Sequence, residues 1–91
     1  MKKTVIDKKE LLLKTIGEII KEKRLEQKKG ILLLSYEFDI SNSSIIALEK
    51  GKRDVQISTL WKISNALNMS FGEFIKQVED LLPKGFKMID D

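Results

Sequence analysis

The chain has no cysteine and no histidine. Their absence removes disulfide stapling, thiolate chemistry, zinc sites of the usual ligand types and imidazole acid-base catalysis. No catalytic or phosphate-loop motif is present either, and the carboxylates are not clustered, so the expectation is a non-enzyme without metal or cofactor. One proline and five scattered glycines leave room for mostly helical structure. No apolar run reaches the roughly 18 residues of a membrane span. The N-terminus does not lead into a signal-peptide core, because Asp7 to Glu10 is a run of charge. Together with the missing cysteines, this pattern fits a cytoplasmic protein with no membrane partner.

With 91 residues the chain can bury one core of four or five helices but cannot enclose a deep substrate cavity. Its net charge of +3 is unevenly placed. Residues 1 to 29 carry ten Lys/Arg against five Asp/Glu, and residues 30 to 91 carry seven against nine. Such asymmetry permits a phosphate-binding face, although a lysine-rich helix with a solvated side gives the same count and is commoner.

Apolar spacing divides the chain into five helices. Asp7 and Glu10 have capping-box spacing and Ile6 and Leu11 flank them as a hydrophobic staple, so a first helix starts near Lys8. Leu12, Leu13, Ile16, Ile19 and Ile20 then form a buried stripe that runs on to about Lys28, with Gly30 beyond it. The run from Ile31 to Phe38 fits a strand or a helix by periodicity. A helix is preferred, because a lone strand would have no partner. Asp39-Ile40-Ser41 makes a sharp connection, in which Asp39 tolerates a left-handed backbone. Ile57, Leu60, Ile63, Ala66 and Leu67 mark a fourth helix from Gln56 or Ser58 to Asn68. Ser70 caps a fifth, with Phe71, Phe74, Ile75 and Val78 as its stripe and Pro83 as its end. Trp61 lies off the main stripe of its helix, so it is half-buried, packing on the core, or part of a subunit contact.

Between them lies the stretch from Ser41 to Arg53. Ser41 caps a short third helix, Ile45 and Leu48 point one way, Asn42, Ser43, Ile46 and Ala47 point another, and Gly51 stops it before Lys52 and Arg53. Small polar residues at a helix start serve as caps or as contacts. For Ser44 both readings stay open.

From Ile16 to about Ile75 the chain resembles the Cro/phage-repressor type of helix-turn-helix regulator, the XRE family. The resemblance rests on Ile16-Gly17-Glu18 with Arg24, Ser35, Asp39-Ile40-Ser41, Ile45, Leu48, Glu49-Lys50-Gly51-Lys52-Arg53, Leu60, Ile63, Ala66-Leu67-Asn68, Ser70 and Phe74. It implies an all-α, five-helix, lambda-repressor-like DNA-binding domain over residues 1–79, with residues 1–7 as an N-terminal extension and 80–91 as a C-terminal tail.

The function implied is that of a dimeric transcriptional regulator, a repressor or autoregulator, whose third helix, roughly Asn42 to Lys50, enters the major groove of double-stranded DNA. By position, Asn42, Ser43, Ile46 and Ala47 are its base readers. Lys28, Lys29, Ser41, Lys50, Lys52 and Arg53 would hold phosphates, and Arg24 and Glu49 would form a structural ion pair. Homodimerisation would use the fifth helix and the tail segment containing Leu81, Leu82, Phe86 and Met88. Two departures stand out. Ile31 occupies a position that is often Gln in the family, and Lys23 one that is commonly Leu. Aliphatic Ile31 to Leu33 cannot all face the core of so short a helix. They therefore suggest a protein partner, and with it a competing function as an antitoxin-like interaction module with weak DNA binding.

Overall fold

Cap chemistry sets the helix boundaries in the computed structural model, which describes residues 7–89. Asp7 Oδ2 accepts the Glu10 N–H at 3.4 Å and opens α1, Lys8–Glu26. Ile6, the expected staple partner of Leu11, lies outside the described residues, as does the rest of the extension before Asp7. Extended Gly30 leads into α2, Ile31–Phe38, without a side-chain cap bond. Ser41 Oγ accepts the Ser44 N–H at 3.2 Å and opens α3, Asn42–Glu49. α4, Ile57–Ala66, follows extended Gln56, and α5, Phe71–Leu81, starts in a complete Ser70/Glu73 capping box. The fold is all-α, with no strand among the described residues. The apolar run at Ile31 is therefore a helix.

Three helix ends differ from the sequence expectation. α1 stops at Glu26 rather than Lys28, because Lys28 takes a left-handed backbone (φ 57°) and the Lys29 N–H turns back to the Arg24 carbonyl at 3.0 Å. Gly30 consequently starts α2 instead of stopping α1. α4 ends at Ala66, before left-handed Asn68 (φ 62°). α3 ends at Glu49, followed by Lys50 and left-handed Gly51.

α2 and α3 meet in a turn fixed from both directions. Asp39 adopts φ 54°, the Ile40 N–H donates to the Ser35 carbonyl at 3.2 Å, and the Ser35 hydroxyl donates to the Ile40 carbonyl. Around this turn, α1 packs on α3 and α5, α2 on α3 and α4, and α4 on α5. Phe74, Ile19, Ile20, Leu34, Ile45, Ile63 and Leu67 are fully buried at the centre. At the periphery Gln27 Nε2 donates to the Leu67 carbonyl at 2.7 Å, and the fully buried Ser64 hydroxyl donates to the Trp61 carbonyl of its own helix at 2.7 Å. No single helix among the described residues is long and apolar enough to cross a membrane. α2 and α3 pass that test only as a pair bent by 115°, and Leu34, Ile45 and Leu48 of this pair are core residues.

The far side of the molecule is more open. Trp61 is not in the core. It is 51% exposed and stacks on Phe71, with ring centroids 4.6 Å apart and planes 7° apart, because α5 delivers an aromatic ring beside it. After α5 the chain folds back on itself. The Phe86 N–H donates to the Pro83 carbonyl at 3.0 Å, Gly85 takes φ 76°, and Lys8 Nζ donates to the Ile89 carbonyl at 2.7 Å. Leu82 packs on the core and Phe86 is half-buried, whereas Leu81 and Met88 stay exposed. Between α1, α4, α5 and this tail runs an apolar groove of about 510 Å³, lined among others by Leu12, Leu60, Phe71, Ile75 and Phe86.

Candidate nucleic-acid interface

The third helix is only eight residues long, and its own backbone bonds would not hold it in isolation. Its position comes from the side it buries. Ile45 and Leu48 are in the core, and α1 approaches so closely that a Cβ on Gly17 would lie 2.3 Å from the Leu48 carbonyl oxygen and 2.6 Å from that of Glu49. Only glycine leaves room for that contact. Gly51 is constrained twice, by φ 71° and by Lys14, whose Cα would lie 2.7 Å from an added Cβ.

An ion pair fixes the end of the helix. Arg24 Nε and Nη2 donate to Glu49 Oε2 and Oε1 at 2.6 and 3.0 Å, and Nη1 donates to the Lys29 carbonyl at 2.9 Å. Both side chains are nearly excluded from water, at 8% and 7% exposure. The bond from Glu49 is the main influence raising the Arg24 pKa, desolvation works against it, and the charge of the same carboxylate adds to the rise. A raised arginine pKa contributes stability below its unfolded value and loses it only above, so the pair's cation persists through the whole neutral range. Three of the guanidinium's donors and both carboxylate oxygens are used. The pair therefore joins α1, the α1–α2 turn and the last residue of α3 into one unit.

With one side of α3 thus occupied, Asn42, Ser43, Ile46 and Ala47 fall together on the opposite arc. Asn42, Ser43 and Ile46 are exposed and Ala47 is half-buried. The serines of the first turn are bonded to one another. Ser41 Oγ accepts the Ser44 amide and lies 2.8 Å from Ser44 Oγ, to which it donates. Ser44 Oγ in turn accepts from Arg53 Nη1 at 3.1 Å. Ser44 is thus a structural link that draws Arg53 back over the start of the helix. Arg53, Ser41, Ser44, Gln56 and Thr59 share a cleft of about 480 Å³. Nothing in the sequence singles out Gln56 and Thr59 as site residues. Their signal is a polar pair at the start of α4, which resembles any solvated helix start.

The cations divide into two groups. Lys28, Lys50, Lys52 and Arg53 are exposed, and none has an ion pair among the described residues. Lys29 differs from its sequence assignment. Its ammonium donates to the Ala66 carbonyl at 3.0 Å and to Glu37 at 3.4 Å, and lies 5.8 Å from the centroid of the Phe38 ring. It closes α2 against the end of α4. The Ile31 to Leu33 patch also changes composition. Ile31 packs on the core, while Leu32 (73% exposed), Leu33 and Tyr36 (87% exposed) make up the apolar surface of α2.

The geometry is that of a rigid helix end with amide, hydroxyl and aliphatic groups on its free arc and cations on both flanks. A family model described as helix-turn-helix matches residues 20–74. No curated protein sequence matches. Among solved structures, the chain is similar to the clp gene regulator ClgR from Corynebacterium glutamicum, with a TM-score of 0.71 and 19% sequence identity over 76% of this chain and 73% of that one. At that identity the likeness concerns the fold.

Proposed function

This chain belongs to the helix-turn-helix family, and from that premise we propose that it is a sequence-specific double-stranded DNA-binding protein that regulates transcription as a dimeric repressor or autoregulator. Family membership and the resemblance in fold to a gene regulator support DNA binding in transcription regulation. One observation carries the reading to residues: α3 is fastened by Ile45, Leu48, Gly17 and the Arg24–Glu49 pair along one side, which leaves Asn42, Ser43, Ile46 and Ala47 as a fixed, free arc on the other. A major groove about 12 Å wide accepts such a helix, and its first turn reaches the base edges.

In this arrangement Arg53, Lys50, Lys52 and Lys28 bind phosphates, which set affinity and register rather than sequence. Ser41 contributes through the backbone it caps. A dimer reads two half-sites about 34 Å apart, one turn of DNA. Its partner surface is the exposed apolar set on α5 and the tail, Ile75, Leu81 and Met88. Occupancy by the dimer excludes or contacts polymerase, and the setting is the cytoplasm.

Binding to random duplex DNA at two salt concentrations, followed by selection for sequence, tests the reading. A steep loss of affinity with salt and enrichment of a palindromic site are expected. Flat salt dependence without enrichment refutes it. That outcome would favour the second reading, a protein-interaction module of the antitoxin-like kind, for which the exposed Leu32, Leu33 and Tyr36 of α2 are the supporting observation.

A further inference from the structure

Resting on the DNA-binding reading, we propose that α3 recognises its half-site through the C5-methyl groups of thymine, with Ile46 as the principal methyl contact, and that its operators are A·T-rich where this helix lies. Base-edge chemistry decides this by elimination. Guanine is most commonly read by a bidentate Arg or Lys and cytosine by a carboxylate. The free arc of α3 offers neither. Its eight residues contain no Lys or Arg, and its one carboxylate, Glu49, has both oxygens on Arg24. Arg53, the nearest cation to the first turn, is bonded to Ser44 beside the helix rather than on the arc.

What remains on the arc matches an A·T pair from both of its bases. The Asn42 amide has no hydrogen-bond partner among the described residues and has the donor and acceptor that adenine requires on its major-groove edge. Ile46, one helical turn on and 40% exposed, places a branched aliphatic group on the same face as Asn42, where a thymine methyl can pack. Half-buried Ala47 adds a second, shorter apolar contact, and Ser43 bonds either kind of pair. An isoleucine beside a cytosine edge would cover the N4 donor without bonding it, so the same side chain that favours thymine disfavours cytosine. A C5-methyl on cytosine offers Ile46 the same contact.

The test uses the full chain and its selected duplex, with thymine replaced one position at a time by uracil, which removes the methyl and keeps the O4 acceptor. At the pair that faces Ile46, uracil should weaken binding about fourfold, the equivalent of one buried methyl-sized group. In Ile46→Ala the same replacement should cost almost nothing. At that pair, 5-methylcytosine should bind about fourfold better than cytosine to the natural chain and equally well to Ile46→Ala. If uracil costs the same in both proteins, or costs nothing in either, the methyl assignment is wrong although salt-dependent, selective binding persists. If selection returns G·C-rich half-sites, the elimination argument fails as well. Absence of salt-dependent binding to any duplex overturns the underlying reading and this assignment together.

Discussion

The junction of α1 with α3 and the junction of α4 and α5 with the tail differ in how much of each is specified. In the first, two glycines admit backbone contact, and a bidentate ion pair engages three guanidinium donors and both carboxylate oxygens. In the second, an aromatic stack sits at half exposure and an apolar groove of about 510 Å³ lies open between helices and a folded-back tail. The more fully specified junction is the one that holds the proposed recognition helix. The loosely covered side is where a second copy could dock, since an apolar surface left open has more to gain from association than one already filled.

The sharpest test of this contrast is the ion pair. Removing the Glu49 carboxylate leaves the buried Arg24 cation with only a carbonyl partner, a loss of about 3 to 5 kcal/mol. Glu37, more than a third exposed and at 3.4 Å from Lys29, belongs to the class of pairs contributing about 0 to 1 kcal/mol. In thermal melts Glu49→Ala should therefore drop by more than about 10 °C, and Glu37→Ala by a few degrees at most. Equal melting temperatures would mean that the α1–α3 junction is no more specified than the surface.

Gly17→Ala comes next in size. Intrinsic helix propensity favours this change by about 1 kcal/mol, since Gly17 lies inside α1. The added methyl would nevertheless sit against two backbone carbonyls of α3, which cannot rotate away as a side chain could. A net loss of about 1 to 3 kcal/mol in chemical denaturation is expected, with weakened duplex binding because α3 has to shift. A stabilised variant would show that α1 and α3 do not meet this closely in solution.

How far the sequence exposes this asymmetry depends on the range of the interactions. The all-α architecture and the division of α3 into a buried and a free arc follow from local period, so Ile45 and Leu48 could be assigned inward before any contact was known. Caps at Asp7, Ser41 and Ser70 and the left-handed Asp39 were legible for the same reason, as local backbone chemistry. Lys28 escaped because a left-handed lysine carries no propensity signal, and its turn is closed by bonds to residues already in the helix. The partners of Lys29 and Trp61, the Ala66 carbonyl and the Phe71 ring, are not legible in the sequence because they come from elements that one-dimensional periodicity cannot bring together. The tail segment is expected to offer a surface to a second copy, and the turn at Pro83 folds part of it inward. Leu82 and Phe86 serve the chain itself, and of the four tail residues only Leu81 and Met88 remain exposed.

That division makes a surface substitution the informative probe of the open side, with the smallest expected effect on folding. Truncating the tail would strip Leu82 from the core and confuse assembly with unfolding. Leu81, at 61% exposure, makes little use of its side chain within the chain, so Leu81→Glu should change the melting temperature of the monomer by no more than a few degrees. A carboxylate in the middle of an apolar dimer contact would be desolvated without a partner, which should shift the chain to monomer in light scattering at micromolar concentration. Binding to a single half-site should survive, while binding to the paired site loses its cooperative gain. An unchanged dimer would take α5 and Leu81 out of the interface, and would leave the apolar surface of α2, with Leu32 and Tyr36, as the face on which the two copies meet.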